Sequence, residues 1–236
     1  MTDDTATQAQ LDALAKLDTP TVCNAIELVE EGRRAFGFTT KMLQPIRPEL
    51  GVMVGVARTV MVRASRPSTM DADTIRTTRF GYLDYVESAV LPAICVAQDL
   101  DDGDAGFGCF FGEVNSAIHM ALGCPGLVTN GSIRDLDDLA PGFQALAGSI
   151  TPSHGFIHVV GFGDTVAISG MTVNSGDLVH ADKHGATVLP RGKAAEVLKA
   201  ADLMARREAV VLKAAQVPGA GAEAIKQAWF KMAKVN

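Results

Sequence analysis

The chain has 236 residues, 47% of them apolar, and its 21 basic and 27 acidic side chains give a formal net charge of −6. A chain of this length and composition can bury a core without disulfides or a structural metal, which excludes intrinsic disorder. The acidic balance, with no Lys or Arg run longer than a pair, argues against a nucleic-acid ligand.

The start of the chain shows neither the basic residues nor the apolar core of a secretory signal. No apolar run approaches the roughly 20 residues that span a bilayer. We therefore expect a cytoplasmic protein that does not bind membranes. The four cysteines contain no CxxC pair and are expected to be reduced, partly buried thiols: Cys23, Cys95, Cys109 and Cys124.

The first predicted element is a helix. Thr19 is its predicted N-cap, Pro20 suits the first helical position, and Gly32 suits a left-handed stop. The apolar, β-branched run over 51–62 predicts a strand, and 71–90 is expected to be helical.

The middle of the chain has the pattern of a βαβ unit. Its parts, in order, are an apolar strand over 92–97 ended by Asp99, a glycine-rich loop over 103–112, a helix over 113–122, and a strand over 127–129 ended by Asn130-Gly131. The two strands should be parallel and joined by a right-handed crossover. Their C-terminal ends are therefore expected at the same edge of a sheet.

The remainder of the chain is predicted to form short strands and then two helices. The strands are 156–160, 166–168, 178–180 and 186–189, and the helices are 192–217 and 221–234. The last helix carries Trp229 beside Phe230 and is expected to contact another subunit. With no internal repeat and no linker, residues 1–236 are predicted to form a single α/β domain with helices at both ends.

Two loops at the shared strand edge carry the side chains of a candidate site. The loop over 106–115 offers glycine-freed backbone amides at a helix start, which suit a carboxylate or phosphate, and the loop over 130–135 supplies an arginine and a carboxylate side by side. Arg134 can bind an anion bidentately, and Asp135 can hold a hard divalent cation such as Mg²⁺. Together they would stabilise the enolate formed when a carbon–carbon bond of a 2-oxo acid breaks. The alternative is a solvated charge pair that complements a helix dipole.

A nicotinamide cofactor is not expected. The spacing Gly106-x-Gly108-x-x-x-Gly112 differs from the dinucleotide fingerprint, and Asn130 stands where a ribose would need an acid.

Two residues of the predicted helix over 113–122 have alternative interpretations. Glu113 can act as a general base that takes a proton from a substrate hydroxyl. Alternatively, its negative charge only stabilises the helix by interacting with the positive end of the helix dipole. His119 lies four residues after Asn115, on the same helix face, and either reaches the pocket or packs against the sheet.

The remaining histidines and acids give weaker signals. Asp182 and His184 flank the turn before Gly185, and a turn role explains them unless a neighbouring subunit brings them to the site. In an extended segment four residues span roughly 13 Å. No zinc site is therefore predicted at two pairs with metal-like spacing, His154/His158 and His180/His184.

Several motifs resemble one known family. The sequence GEVN over 112–115, followed by GCPGLVTNGSIRDLDDL over 123–139, resembles the family of the regulator of ribonuclease activity A and 4-hydroxy-4-methyl-2-oxoglutarate aldolase. The resemblance extends to the segments 19–22 and 175–182.

The resemblance implies an α/β fold, a layered sheet like the swivelling phosphohistidine domain, assembled as a homotrimer or hexamer. It also implies a lyase that uses Mg²⁺ or Mn²⁺. Such enzymes cleave 4-hydroxy-4-methyl-2-oxoglutarate or 4-carboxy-4-hydroxy-2-oxoadipate to pyruvate, or decarboxylate oxaloacetate. The implied sites are a substrate loop, a substrate arginine and a metal aspartate, which fall on Gly112, Glu113, Val114 and Asn115, on Arg134, and on Asp135, respectively.

Two residues depart from the family pattern and predict a more polar pocket floor. Asn24 stands where Asp is common, and Asn115 where Leu or Met is common. Regulators in the family that are not enzymes can lack the metal aspartate, whereas this chain keeps Asp135. Two functions are therefore considered: the lyase, and a non-catalytic regulator that binds a ribonuclease or helicase.

Overall fold

The computed structural model describes residues 6–89, 92–101 and 103–235, which form a mixed α/β fold. The helices are α1 Gln8–Leu14, α2 Thr19–Val29, α3 Ala72–Glu87, α4 Glu113–Ala121, α5 Ala194–Ala215 and α6 Ala222–Met232. The strands are β1 Gln44–Ile46, β2 Met53–Arg63, β3 Ala93–Asp99, β4 Cys109–Phe111, β5 Gly126–Thr129, β6 Ser132–Ile133, β7 Gln144–Ala147, β8 Ser149–Ile150, β9 His158–Phe162, β10 Val166–Ile168, β11 Met171–Val173, β12 Leu178–Asp182 and β13 Gly185–Val188. Two short 3₁₀ helices, Glu31–Ala35 and Pro48–Leu50, complete the elements of the described residues.

The main sheet is curled and mixed. Within the described residues its order is β1-β7-β5-β3-β2-β12-β13, and β9 pairs with the far end of β2. The neighbours β7, β5, β3 and β2 are parallel, whereas β1, β9, β12 and β13 pair antiparallel. Strands β4, β6 and β8 form a small parallel sheet, and β10 with β11 forms a hairpin.

The predicted βαβ unit is confirmed. Strands β3 and β5 are parallel, with Cys95 opposite Leu127, and α4 lies between them in the chain. Because they are parallel, Asp99 and Asn130 stand at one edge of the main sheet, here called the carboxyl edge. At the opposite edge, here called the amino edge, β2 begins at Met53, which pairs with Ala181 of β12.

The prediction of a glycine-rich loop over 103–112 is wrong in one part. Residues 109–111 form β4 instead, because Cys109 and Phe111 pair with Ser132 and Ile133 of β6. A strand this short is stabilised by its neighbour and leaves no periodic pattern in the sequence.

The predicted ends of α2 are also wrong. Asp18, not Thr19, is the N-cap, since its carboxylate accepts a first-turn amide. The Thr19 hydroxyl is instead hydrogen-bonded to His180 Nδ1 at 3.0 Å. The helix ends before Glu30, and Gly32 lies in the following 3₁₀ helix rather than at a left-handed stop.

Most other predicted elements are confirmed with shifted ends. The strand over 166–168 coincides with β10, and the two C-terminal helices are α5 and α6. Residue 90, the predicted end of the third helix, lies outside the described residues. Short elements that the sequence did not predict are helix α1 and strands β1, β6, β7, β8 and β11, each of seven residues or fewer.

Three apolar clusters hold these elements together. One cluster joins the main sheet to α3 and α4 and includes the fully buried Leu127, Ile133 and Phe143. Each such side chain contributes roughly 1.5–3 kcal/mol when buried. This cluster fixes the carboxyl edge, because it includes residues immediately before the loops there. The other two clusters lie under the β10–β11 hairpin and between α2 and α5.

The state of the cysteines agrees with the prediction. All four cysteines are free thiols, three of them buried. No helix in the described part of the chain has both the length and the apolarity needed to cross a bilayer.

Candidate functional site

Arg134 and Asp135 follow β6 directly and lie against the N-terminus of α4. Asp135 has a left-handed backbone with φ of 53°, which aspartate tolerates better than most residues. Its Oδ2 accepts the Glu113 backbone N–H at 3.2 Å and lies 3.3 Å from Arg134 Nε. The structure thus brings together three of the predicted site residues.

Gly112 lets these groups approach each other. It is the N-cap of α4, in an extended conformation and without a capping side chain. A Cβ at this position would collide with Asp135 Oδ2 and lie 3.0 Å from Arg134 Cγ. A larger residue at this position would displace the Asp135 carboxylate, so glycine permits the close approach of the loop over 112–115 to the charged pair.

The side chains at this edge face solvent. Arg134 and Asp135 are 34% and 37% exposed, and Glu113 and Val114 are exposed. The terminal Arg134 nitrogens and the Glu113 carboxylate bond to no residue in the ranges that the structure describes. These groups are therefore accessible to a ligand.

The amides of the loop are only partly available. The Glu113 amide donates to Asp135, and the Ser116 amide donates to the Gly112 carbonyl within the helix. First-turn amides have no acceptor inside their own helix, so those of Val114 and Asn115 are the ones left for an anion. The structure therefore narrows the predicted anion-binding loop to the backbone amides of Val114 and Asn115.

Asn115 links the loop to α3. Its side-chain amide nitrogen donates to the Phe110 carbonyl, which leaves the Oδ1 atom to accept a bond from another element. This oxygen accepts a hydrogen bond from Arg79 Nη2 at 3.4 Å. Sequence reasoning missed Arg79, because nothing in the local pattern of α3 indicates a contact with a residue 36 positions away.

His119 belongs to the core, as one of the two interpretations predicted. It is fully buried, and burial lowers its pKa to about 4. The neutral ring donates from Nδ1 to the Asn115 carbonyl at 2.6 Å and accepts at Nε2 from the Tyr82 hydroxyl at 2.7 Å. Tyr82 also contacts Cys95 Sγ at 3.2 Å, so a buried polar chain supports the first turns of α4.

Asp99 and Asn130 hold the carboxyl edge together. Asn130 accepts the Asp99 amide at 2.8 Å and donates to its carbonyl at 2.9 Å. The Asp99 carboxylate accepts the Gly106 amide at 2.7 Å, and burial raises its pKa. Asp99 therefore anchors the glycine loop, and its two oxygens are both engaged within the chain.

Asp182 and His184 lie at the amino edge and are not brought to Arg134. Asp182 accepts the Thr19 amide at 3.0 Å and the His184 amide at 2.8 Å. Burial by itself would raise the pKa of Asp182, but these hydrogen bonds outweigh burial and lower the pKa. Within the single chain both residues belong to the turn before Gly185, as the turn interpretation predicts. Asn24 is exposed on α2, which packs against α5, β12 and β13, and so also lies away from the loop.

The donor set at Asp135 suits a hard cation held largely by water. Within the described residues no three His, Cys, Asp or Glu side chains are grouped to hold a metal. Asp135 offers an exposed carboxylate with Oδ1 unengaged, which would fit Mg²⁺ or Mn²⁺ with several retained waters. It does not fit the closed four-ligand site typical of structural zinc.

Fold and site together define a class: a mixed α/β protein with an arginine, a carboxylate and a glycine-led helix start at the carboxyl ends of its parallel strands. The model of the RraA-like family, described as aldolase/RraA, matches residues 19–188, well over half of the chain. The chain belongs to this family. The family includes both ribonuclease inhibitors and 4-hydroxy-4-methyl-2-oxoglutarate aldolases.

Solved structures support the fold. An uncharacterized protein from Pseudomonas syringae pv. tomato is 21% identical to this chain, with a TM-score of 0.71. The match covers 96% of this chain and 95% of that one. A protein described among novel cellulases from gut-associated microbes is 20% identical, with a TM-score of 0.71 and coverages of 86% and 87%.

Streptomyces coelicolor RraAS2, described as an unusual member of the RNase ES inhibitor RraA family, is 25% identical to this chain. Its TM-score is 0.62, and the match covers 86% of this chain and 95% of that one. A search of curated proteins found no match.

Proposed function

We propose that the protein is a divalent-metal-dependent lyase that acts on a 2-oxo acid and releases pyruvate. The observation that carries the proposal is the convergence of Gly112 and the Glu113 amide with Arg134 and Asp135 at one exposed edge. The reaction is a retro-aldol cleavage of a substrate such as 4-hydroxy-4-methyl-2-oxoglutarate or 4-carboxy-4-hydroxy-2-oxoadipate, or decarboxylation of oxaloacetate.

In this proposal the chain's own residues bind the substrate and move one proton. The free amides of Val114 and Asn115 hold the C1 carboxylate, and Arg134 binds the 2-oxo oxygen. Glu113 accepts the proton of the C4 hydroxyl. The C3–C4 bond then breaks, its electron pair forms the pyruvate enolate, and C4 becomes a carbonyl. Protonation of the enolate at C3 gives pyruvate. Arg134 stabilises the developing negative charge.

Asp135 is the proposed ligand of Mg²⁺ or Mn²⁺. The cation would supply Lewis-acid polarisation of the 2-oxo group. The left-handed backbone of Asp135 supports this role, because non-glycine residues in that conformation are concentrated at functional sites.

The competing proposal is a non-catalytic regulator that binds a ribonuclease or helicase. It is supported by the description of the Streptomyces relative as a member of an RNase inhibitor family. The acidic surface of the chain, with its net charge of −6, is the surface such a partner would contact. This function does not require the exposed Arg134 and Asp135 pair, which is why we favour the lyase.

The proposed assembly is a homotrimer or hexamer of single-domain subunits, located in the cytoplasm. Trp229 and Phe230 of α6 are 55% and 67% exposed, which supports a subunit contact there. The proposed small-molecule partner is the 2-oxo acid, and no nucleic-acid or membrane partner is proposed.

Pyruvate release with oxaloacetate and 4-hydroxy-4-methyl-2-oxoglutarate tests the lyase. We expect turnover that requires Mg²⁺ or Mn²⁺ and stops with EDTA. Metal-independent turnover, or none with either substrate, would overturn the proposal. Capture of a purified ribonuclease or helicase equally by wild type and Arg134→Ala, without any lyase activity, would favour the regulator instead.

A further inference from the structure

Arg79 of α3 is a second cationic group beside the substrate loop. Its guanidinium donates from Nη2 to Asn115 Oδ1, and it forms no ion pair with a carboxylate of the described residues. It is only partly exposed. A half-buried arginine without an acidic partner is uncommon in an acidic protein, because its desolvation is not compensated by an opposite charge.

The contact with Asn115 fixes where this charge lies. The Asn115 amide nitrogen is engaged by the Phe110 carbonyl, so its oxygen is the atom presented to α3. The charge of Arg79 also contributes, after burial, to the lowered pKa of His119, which places the guanidinium near the first turns of α4. Arg79 is thus attached to the last residue of the Gly112–Asn115 loop.

The topology directs Arg79 toward the carboxyl edge. Helix α3 follows β2 and precedes the parallel strand β3, so its N-terminus lies at the carboxyl edge. Side chains of an α-helix tilt toward its N-terminus, and Arg79 therefore extends toward the same edge as Arg134. The two arginines come from different elements and lie against different residues of the loop, Arg134 beside Gly112 and Arg79 at Asn115.

We propose that Arg79, positioned by Asn115, binds the second carboxylate of the substrate and makes the site selective for dicarboxylic over monocarboxylic 2-oxo acids. The inference rests on the proposed function for the position of the first carboxylate. Four N–H donors of Arg79 remain after the contact with Asn115, enough for a bidentate bond to a carboxylate. A monocarboxylic substrate leaves this guanidinium unpaired and gains nothing from it.

Binding measured by calorimetry in the presence of Mg²⁺ tests the proposal without turnover. The probes are 2-oxoglutarate and the monocarboxylate 2-oxobutyrate. Wild type should bind 2-oxoglutarate about 10- to 100-fold more tightly than 2-oxobutyrate, because a charge-assisted hydrogen bond contributes an affinity factor of that size. Arg79→Gln should abolish most of this preference by weakening 2-oxoglutarate alone. Arg79→Lys keeps the positive charge but lacks the planar guanidinium that bonds a carboxylate bidentately, so it should retain part of the preference.

Arg76→Gln is the matched control. Arg76 lies one turn earlier on α3, is exposed, and pairs with Asp73 at 2.7 Å. This variant should keep the wild-type preference. The proposal is overturned if wild type binds both probes equally or binds neither, or if Arg79→Gln weakens both probes to the same extent or neither.

Kinetics separate this proposal from that of the lyase. For cleavage of 4-hydroxy-4-methyl-2-oxoglutarate, Arg79→Gln should lower kcat/KM by about 10- to 100-fold. For the monocarboxylate 4-hydroxy-2-oxopentanoate, kcat/KM should stay near the wild-type value. If wild type releases no pyruvate but keeps an Arg79-dependent preference in calorimetry, the lyase proposal fails and the Arg79 subsite stands.

Discussion

The two edges of the main sheet carry similar residues with opposite degrees of exposure. At the amino edge, the Asp182 side chain is 7% exposed and accepts the Thr19 and His184 amides. At the carboxyl edge, the Asp135 side chain is 37% exposed and accepts one amide while Arg134 lies beside it. The comparison shows that residue type alone does not mark a site. A carboxylate whose acceptor capacity is used within the chain stabilises the fold, and one that retains capacity toward solvent can bind a ligand.

The largest expected effect is at Asp135. Asp135→Ala should lower pyruvate release by about 10³-fold, because the cation contributes several kcal/mol of transition-state stabilisation. Mn²⁺ binding, followed by electron paramagnetic resonance, should be lost in parallel. Asp137→Ala, an exposed neighbour on the same loop, should retain both activity and Mn²⁺ binding. Full Mn²⁺ affinity in Asp135→Ala would remove the distinction between the two edges.

Gly112→Ala should have the next largest effect. The added Cβ collides with Asp135 Oδ2, and a displacement of about 1 Å costs on the order of 10²-fold in rate. The matched control is Gly32→Ala, where a Cβ would meet nothing within 4 Å. Steady-state kinetics on both variants check the prediction. Equal activity of the two variants would show that the close approach at Gly112 has no catalytic consequence.

Asp182→Asn tests the amino edge. The new amide group would place N–H donors against the Thr19 or His184 amide, at a cost of about 1–3 kcal/mol in the free energy of unfolding. Urea unfolding at neutral pH measures this loss, with the exposed Asp164→Asn as control. Activity per folded molecule should not change. A selective loss of kcat with normal stability would mean that Asp182 serves the reaction.

The last expected effect is a pH dependence of stability caused by His119. Its pKa is about 4 in the folded chain, and an unfolded histidine has a pKa near 6.5. Between these values the unfolded state binds one more proton at this residue, so stability falls as the pH falls. The slope is about 1.4 kcal/mol per pH unit. Urea unfolding between pH 7 and pH 4.5 should show a slope that is smaller by this amount in His119→Gln. An unchanged slope would contradict a neutral, buried His119.

The sequence predicted the part of the site that local patterns encode. Two apolar strands flanking a helix predict a parallel pair, and the ends of such strands predict the edge at which Arg134 and Asp135 lie. The family motifs mark the same residues. Thr19, in contrast, was predicted as a helix cap on local grounds, whereas its hydroxyl is taken by His180, 161 positions away.

The chain by itself determined the α/β class, the βαβ unit and the loop that carries Arg134 and Asp135, since apolar periodicity and glycine placement are local properties. Only the tertiary structure decided which polar groups are used within the fold. It engages Asp182 in a turn, buries His119 beneath α4, turns Asp135 toward the Glu113 amide, and brings Arg79 to Asn115. These outcomes depend on contacts between segments that are distant in the chain. Which donors and acceptors of a polar side chain are satisfied is determined only once those contacts have formed.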